Sequence, residues 1–219
     1  MRRLLLFSLI VCLSACSVKR TIVQKPIIFN DDRMELTKAY LKDRYQLPAE
    51  TGEIIPKMIV LHWTAIPTLE RSFQAFVNPT LPNWRPDIKT VSGLNVSSQF
   101  LVDQDGTIYQ LMDENIMARH VIGLNHCAIG VENVGGTEET PLTRAQLKSN
   151  IWLVKYLTEK YDIEYLIGHH EYTLFENHPL WLEVDDGYRT VKSDPGASFM
   201  EKVRRACKNL DFKPLPATQ

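Results

Sequence analysis

The chain has 219 residues, 44% of them hydrophobic and 23% charged, with a formal net charge of -1 at pH 7. That length can bury one sizeable core, so one folded domain is expected. A near-neutral balance, with a pI near 6.6, gives no electrostatic case for nucleic acid as a partner. Glycine (10) and proline (12) are near average, and no repeat or low-complexity block is present.

At the start, Arg2 and Arg3 precede an apolar run from Leu4 to Leu13, followed by Ser14-Ala15-Cys16. The run is too short to span a bilayer, and the pattern is that of an export signal. Leu13-Ser14-Ala15-Cys16 resembles the lipobox of bacterial lipoproteins. It implies a signal peptide at 1–15 and acylation of Cys16; a plain cleavable signal with an accidental cysteine is the alternative. Ser17 fits the common sorting rule for the outer membrane, so the expected place is that membrane, facing the periplasm. Acyl chains would tether the chain to a leaflet without spanning it. Residues 16–30 carry few core signals and read as a lipidated tether, 31–213 as the folded domain and 214–219 as a tail. Cys127 and Cys207 read as small buried residues, not as a bridge.

Met34, Leu36, Tyr40, Leu41 and Tyr45 predict a helix over 32–45. Leu47 to Pro56 reads as a loop, and the continuous apolar run from Met58 to His62 as a strand buried on both faces. A helix is expected over 68–77, then a proline-rich surface stretch over 78–92 near the site. Val96 to Val102 and Gly106 to Met112 form a hairpin joined at Asp105-Gly106. Ala128 to Val134 is a further strand. Thr143 and Gln146 match a capping box that opens the clearest helix. A strand over 165–169 and a helix over 199–207 complete the series. Strands interleaved with helices argue for α/β: a mixed central β-sheet flanked by helices.

Two strands end in histidines, His62 and His169, and Asp194 is held extended by Pro195 behind it. Two imidazoles and one carboxylate on rigid element ends suit an open zinc site, with three protein ligands and one free position. Glu132 closes the apolar run Ile129-Gly130-Val131, where a carboxylate is unwelcome without a purpose.

The segments Val60-Leu61-His62-Trp63-Thr64, Phe100 to Tyr109, Asn125 to Glu132, Gly168-His169-His170 and Lys192-Ser193-Asp194-Pro195-Gly196 occur in that order. Together they resemble the zinc-dependent N-acetylmuramoyl-L-alanine amidases that share a fold with peptidoglycan recognition proteins. The resemblance spans roughly 62–199 and makes 31–213 a zinc amidase domain. It implies one zinc ion on His62, His169 and Asp194, with Glu132 as general base and Lys192 as oxyanion stabiliser. It places His120 and Asn125 on the substrate groove, with Arg119 where relatives carry an aromatic. The implied partners are peptidoglycan or muropeptides and, through the anchor, a membrane leaflet; a monomer is expected.

Ser98 and Gln99 stand where some relatives have an assisting tyrosine. The 172–191 loop is long enough to wall the groove, and its Asp185 and Asp186 are rival third ligands without the Lys-x-Asp-Pro-Gly context. His126 and His170 read as structural, His170 because alternation along a strand turns it away from what His169 binds, and His178 as surface. The rival functions are a non-catalytic peptidoglycan-binding lipoprotein, a structural lipoprotein, and another zinc peptidase. The last lacks a His-Glu-x-x-His helix.

Overall fold

Apolar runs without alternation dominate the inner strands, and the sheet they form is covered on both faces. The computed structural model describes residues 20–83 and 86–217; the expected signal peptide and Cys16 lie outside the described residues. The strands are β1 (Ile22–Gln24), β2 (Met58–Leu61), β3 (Phe100–Val102), β4 (Ile108–Gln110), β5 (Ala128–Asn133) and β6 (Tyr165–Gly168). The helices are α1 (Asp31–Tyr45), α2 (Leu69–Val77), α3 (Pro86–Lys89), α4 (Arg144–Lys160) and α5 (Ala197–Ala206). Among the described residues they build one mixed sheet of order β1-β4-β3-β5-β2-β6, in which only β3 and β4 run antiparallel.

Period-two geometry sends alternate β2 residues to opposite layers. Ile59 and Leu61 join Ile129, Val131 and Leu166 under α4 and α5, meeting Leu153, Val154, Leu157, Met200 and Val203. Met58 and Val60 face Val121, Leu124, Tyr172 and Phe175 on the other side. Helix starts follow the expected chemistry. Asn30 caps α1, Thr68 caps α2, and Thr143 with Gln146 closes a reciprocal capping box on α4. Gly106, at φ +88°, makes the turn into β4, where a Cβ would lie 2.9 Å from the Ala145 carbonyl oxygen.

Three features depart from the sequence expectation. Within the segment read as a tether, Ile22–Gln24 pairs in parallel with Ile108–Gln110, and Ile27 is buried. The fold therefore begins inside 16–30; a three-residue strand with mostly exposed side chains carries no periodicity to read. After Gly168 the chain turns into a 3-10 helix, His169–Phe175, so the strand ends one residue early. In the expected tail, Leu215 packs against the Tyr165–Phe175 cluster. Cys127 and Cys207 are buried and free. No helix among the described residues is long and apolar enough to cross a membrane.

Candidate active site

The central parallel strands β2 and β6 end side by side, Leu61 opposite Gly168, so the residues that follow them emerge together. These are His62 and His169, and Asp194 enters from the loop before α5. His62 Nδ1, His169 Nδ1 and Asp194 Oδ2 form a nearly equilateral triangle with sides of 3.0, 3.1 and 3.2 Å. All three are buried, at 1%, 7% and 7% exposure. Donors bound to zinc at 2.0–2.1 Å in a tetrahedron stand about 3.3 Å apart. The triangle, with its two imidazole nitrogens and one carboxylate, therefore fits that ion, and among the described residues it is the cluster able to hold one.

Each donor is fixed from behind. The backbone of His62 donates to Val131 O (2.8 Å), and its carbonyl accepts from Asn133 N (3.1 Å) and Asn133 Nδ2 (2.9 Å). Asn133 is locked in turn by Asn150 of α4. The Gly168 N–H donates to Glu171, which pairs with Arg204 of α5 and so ties the start of the 3-10 helix to that helix. The carbonyl of Asp194 accepts from both the backbone N–H and the Nδ1–H of His170, each at 3.0 Å. His170 is thus no ligand but the clamp on one. Alternation does not explain this, because His170 lies in a 3-10 turn and not in a strand.

The electrostatics suit a cation. Burial pushes the Asp194 carboxyl up, yet hydrogen bonds from His169 and His62 outweigh it and hold it below the ordinary carboxylate range. Burial, then the neighbouring His62 and Lys192, lower His169 to about 4, so it is neutral and able to ligate at pH 7.

A cavity of about 430 Å³ opens onto the triangle. Glu132, Lys192, His120 and Trp63 line it together with the three donors. Glu132 sits on β5 between Val131, which accepts from His62, and Asn133; Lys192 is half-buried two residues before Asp194.

The family of N-acetylmuramoyl-L-alanine amidases matches residues 39–197. The chain belongs to that family. It is 36% identical over 83 residues to the endolysin of Escherichia phage T7, a match covering 36% of this chain and 55% of the endolysin. It is 35% identical over 81 residues to peptidoglycan recognition protein 3 of Mus musculus, covering 34% of this chain and 22% of that protein. The chain thus spans about half the length of the phage endolysins it matches. Among solved structures, the amidase LysC of Clostridium intestinale superposes with a TM-score of 0.53 at 23% identity, over 88% of this chain and 99% of that one. A selenomethionine AmpD derivative gives 0.50 at 22% identity, over 84% and 93%. At these identities the likeness establishes the fold.

Within this amidase fold the two residues expected on the groove also do structural work. Asn125 is 1% exposed. Its Oδ1 accepts the N–H groups of His120 (2.9 Å) and Val121 (2.8 Å), and its Nδ2 donates to Tyr45 Oη. Its amide thus holds the 120–121 backbone, while the residue still borders the cavity shared by His120, His169 and Lys192. His120 does line the cavity, but its Nδ1 lies 3.0 Å from His62 Nε2 and its Nε2 3.3 Å from Ala128 O. The sequence reading missed this contact; the signal was Gly130, a glycine inside an apolar strand, which marks a close approach. Gln99 and Ser98 are fully buried. Gln99 bonds the Gly130 N–H and the Ile116 carbonyl, and Ser98 the Phe100 carbonyl.

Of the rival ligands, Asp185 pairs with Arg44 beside α1 and Asp186 lies near Arg189, both outside the donor triangle. The 172–191 loop does wall the cleft: Tyr188 and Thr190 border a cavity shared with His120, His169 and Lys192. The loop is tied to α1 by Arg44–Glu183 and braced internally by Arg189 over the Trp181 ring at 4.6 Å. His178 is half-buried against Tyr165 and Phe175, not on the open surface.

Proposed function

We propose that this chain hydrolyses the amide between the lactyl group of N-acetylmuramic acid and L-alanine of peptidoglycan stem peptides, using one zinc ion on His62, His169 and Asp194. The observation that carries this reading is the buried donor triangle at the floor of a cavity that also holds a carboxylate and an ammonium. A zinc ion there would act as a Lewis acid, polarising the scissile carbonyl and making a nearby water acidic enough to react at neutral pH. Glu132 takes the proton from the attacking water and hands it to the departing amine of L-alanine. Lys192 faces the same cavity and offsets the charge that develops on the carbonyl oxygen. The buried clamps on the three donors keep this geometry fixed before substrate arrives.

The amino terminus supports a place for this chemistry. Arg2, Arg3, the 4–13 apolar run and Leu13-Ser14-Ala15-Cys16 support export and acylation at Cys16, with the enzyme held on the periplasmic face of the outer membrane.

Incubating the purified chain with peptidoglycan, with and without chelator, and identifying products by mass spectrometry tests the reaction. Free stem peptides beginning at L-alanine, lost on chelation and restored by zinc, are expected. Uncut peptidoglycan that still retains the protein would refute the roles of Glu132 and Lys192 and leave a binding lipoprotein.

A further inference from the structure

His62 presents one ring nitrogen to the donor triangle and the other to His120. The two rings meet edge to face, with centroids 5.0 Å apart at 89° and Nε2 of His62 3.0 Å from Nδ1 of His120. Beyond His120 the chain of contacts ends at a group with only one possible role. The Ala128 carbonyl, 3.3 Å from His120 Nε2, has no proton and can only accept. A proton on His120 Nε2 leaves its Nδ1 bare, so His62 Nε2–H must be the donor between the rings. His62 then keeps a free lone pair on Nδ1, the atom in the triangle.

The site is built to bring His120 to this position. A Cβ on Gly130 would come within 2.9 Å of the His120 ring, closer than real Cβ contacts, so the ring lies over β5 where only glycine leaves room. Behind it, Asn125, itself bonded to Tyr45 Oη, accepts the backbone N–H groups of His120 and Val121.

We propose that His120 is a positioning residue for the metal site: seated on Gly130 and anchored by Ala128, it sets the tautomer of His62 and so its capacity to bind zinc through Nδ1. This adds to the zinc reading and rests on it. Outer hydrogen-bond partners of zinc-bound histidines commonly contribute about 10–100-fold in metal affinity.

The test measures zinc affinity by competition with a chelating dye, together with imidazole nitrogen–proton correlations by NMR on the full chain. In the zinc-loaded protein, His62 and His120 should both carry their proton on Nε2. His120→Leu should lose about 10–100-fold in zinc affinity. His120→Gln, whose side-chain oxygen can accept from His62, should recover most of it. Gly130→Ala should displace the ring and lose affinity like His120→Leu. A proton on His120 Nδ1 overturns the proposal, as does equal loss in the Leu and Gln variants, or none in either. The NMR assignment needs no variant and decides the matter if Gly130→Ala does not fold. Failure of the wild type to bind zinc overturns the zinc reading as well. Zinc bound normally with no effect of His120 overturns the positioning role alone.

Discussion

Acid should destabilise the metal-free protein well before its carboxylates titrate. His169 and His126 are each lowered by burial to about 4, and burial together with His62 pushes His120 well below the ordinary histidine value. A base whose folded pKa lies below its unfolded value of 6.5 takes up its proton first in the unfolded chain. Its cost is therefore absent above about pH 7 and grows as pH falls through 6.5 towards 4. Between pH 7.5 and 5 a shift from 6.5 to about 4 removes about 2 kcal/mol, so His169 and His126 together remove about 4 kcal/mol, and His120 acts in the same direction. That is a large share of a domain's whole stability, about 5–15 kcal/mol. Asp194, held low, contributes stability that is lost only below about pH 4, outside this window. Urea unfolding of chelator-treated protein, followed by circular dichroism, should show this loss. His126 lies outside the donor triangle, its ring edge-on to Tyr45 at 5.3 Å, so His126→Leu should remove about 2 kcal/mol of this loss. A wild-type loss under about 2 kcal/mol, or an unchanged slope in the variant, would refute buried neutral histidines as the origin.

Glu132→Gln should lower kcat by about 10²–10⁴-fold, the usual share of a general base, with zinc content by elemental analysis unchanged; near-normal turnover would remove Glu132 from proton transfer. Zinc held at about a thousand times its Kd should add about 4 kcal/mol of stability, read as a higher Tm that chelator abolishes; an unchanged Tm would mean the triangle binds no metal. Arg33 is buried, and its guanidinium donates to the carbonyls of Ile28, Phe76, Val77 and Asn78, closing the end of α2. Arg33→Ala should cost about 3–5 kcal/mol in urea unfolding by stranding those carbonyls; a cost below about 1 kcal/mol would show that water replaces the guanidinium.

What the sequence made legible was carried by rigid local signals. Met58 to Leu61 and Tyr165 to Gly168 are unbroken apolar runs, so their position at the sheet centre, and the emergence of His62 and His169 at their ends, follow from pattern alone. Thr143 and Gln146 announced α4 through paired side chains three residues apart. Ile22–Gln24 announced nothing: its place comes from the free edge of β4, a property of the partner and not of its own residues. The 3-10 turn at His169 was hidden for a related reason, since Glu171 and Arg204, thirty-three positions apart, stabilise it together.

The contacts that Asn125 and His120 make behind the cavity show why a site is harder to read than its ligands. A zinc ligand is recognisable from its own chemistry: an imidazole or a carboxylate at an element end. A residue that aims a ligand is defined by its partner, and here the partners sit 58 positions apart, His62 on the loop after β2 and His120 in a segment laid across β5. Only Gly130 leaves a trace of that crossing in the linear sequence, because a glycine amid Ile129 and Val131 weakens the strand without an evident local return. The structure supplies the return, a strand surface flat enough for an imidazole to lie on. The donor triangle explains the need for it. Three buried donors about 3 Å apart favour a cation only if both imidazoles present bare nitrogens, and a ring free to exchange tautomers would spend part of its time presenting a proton instead.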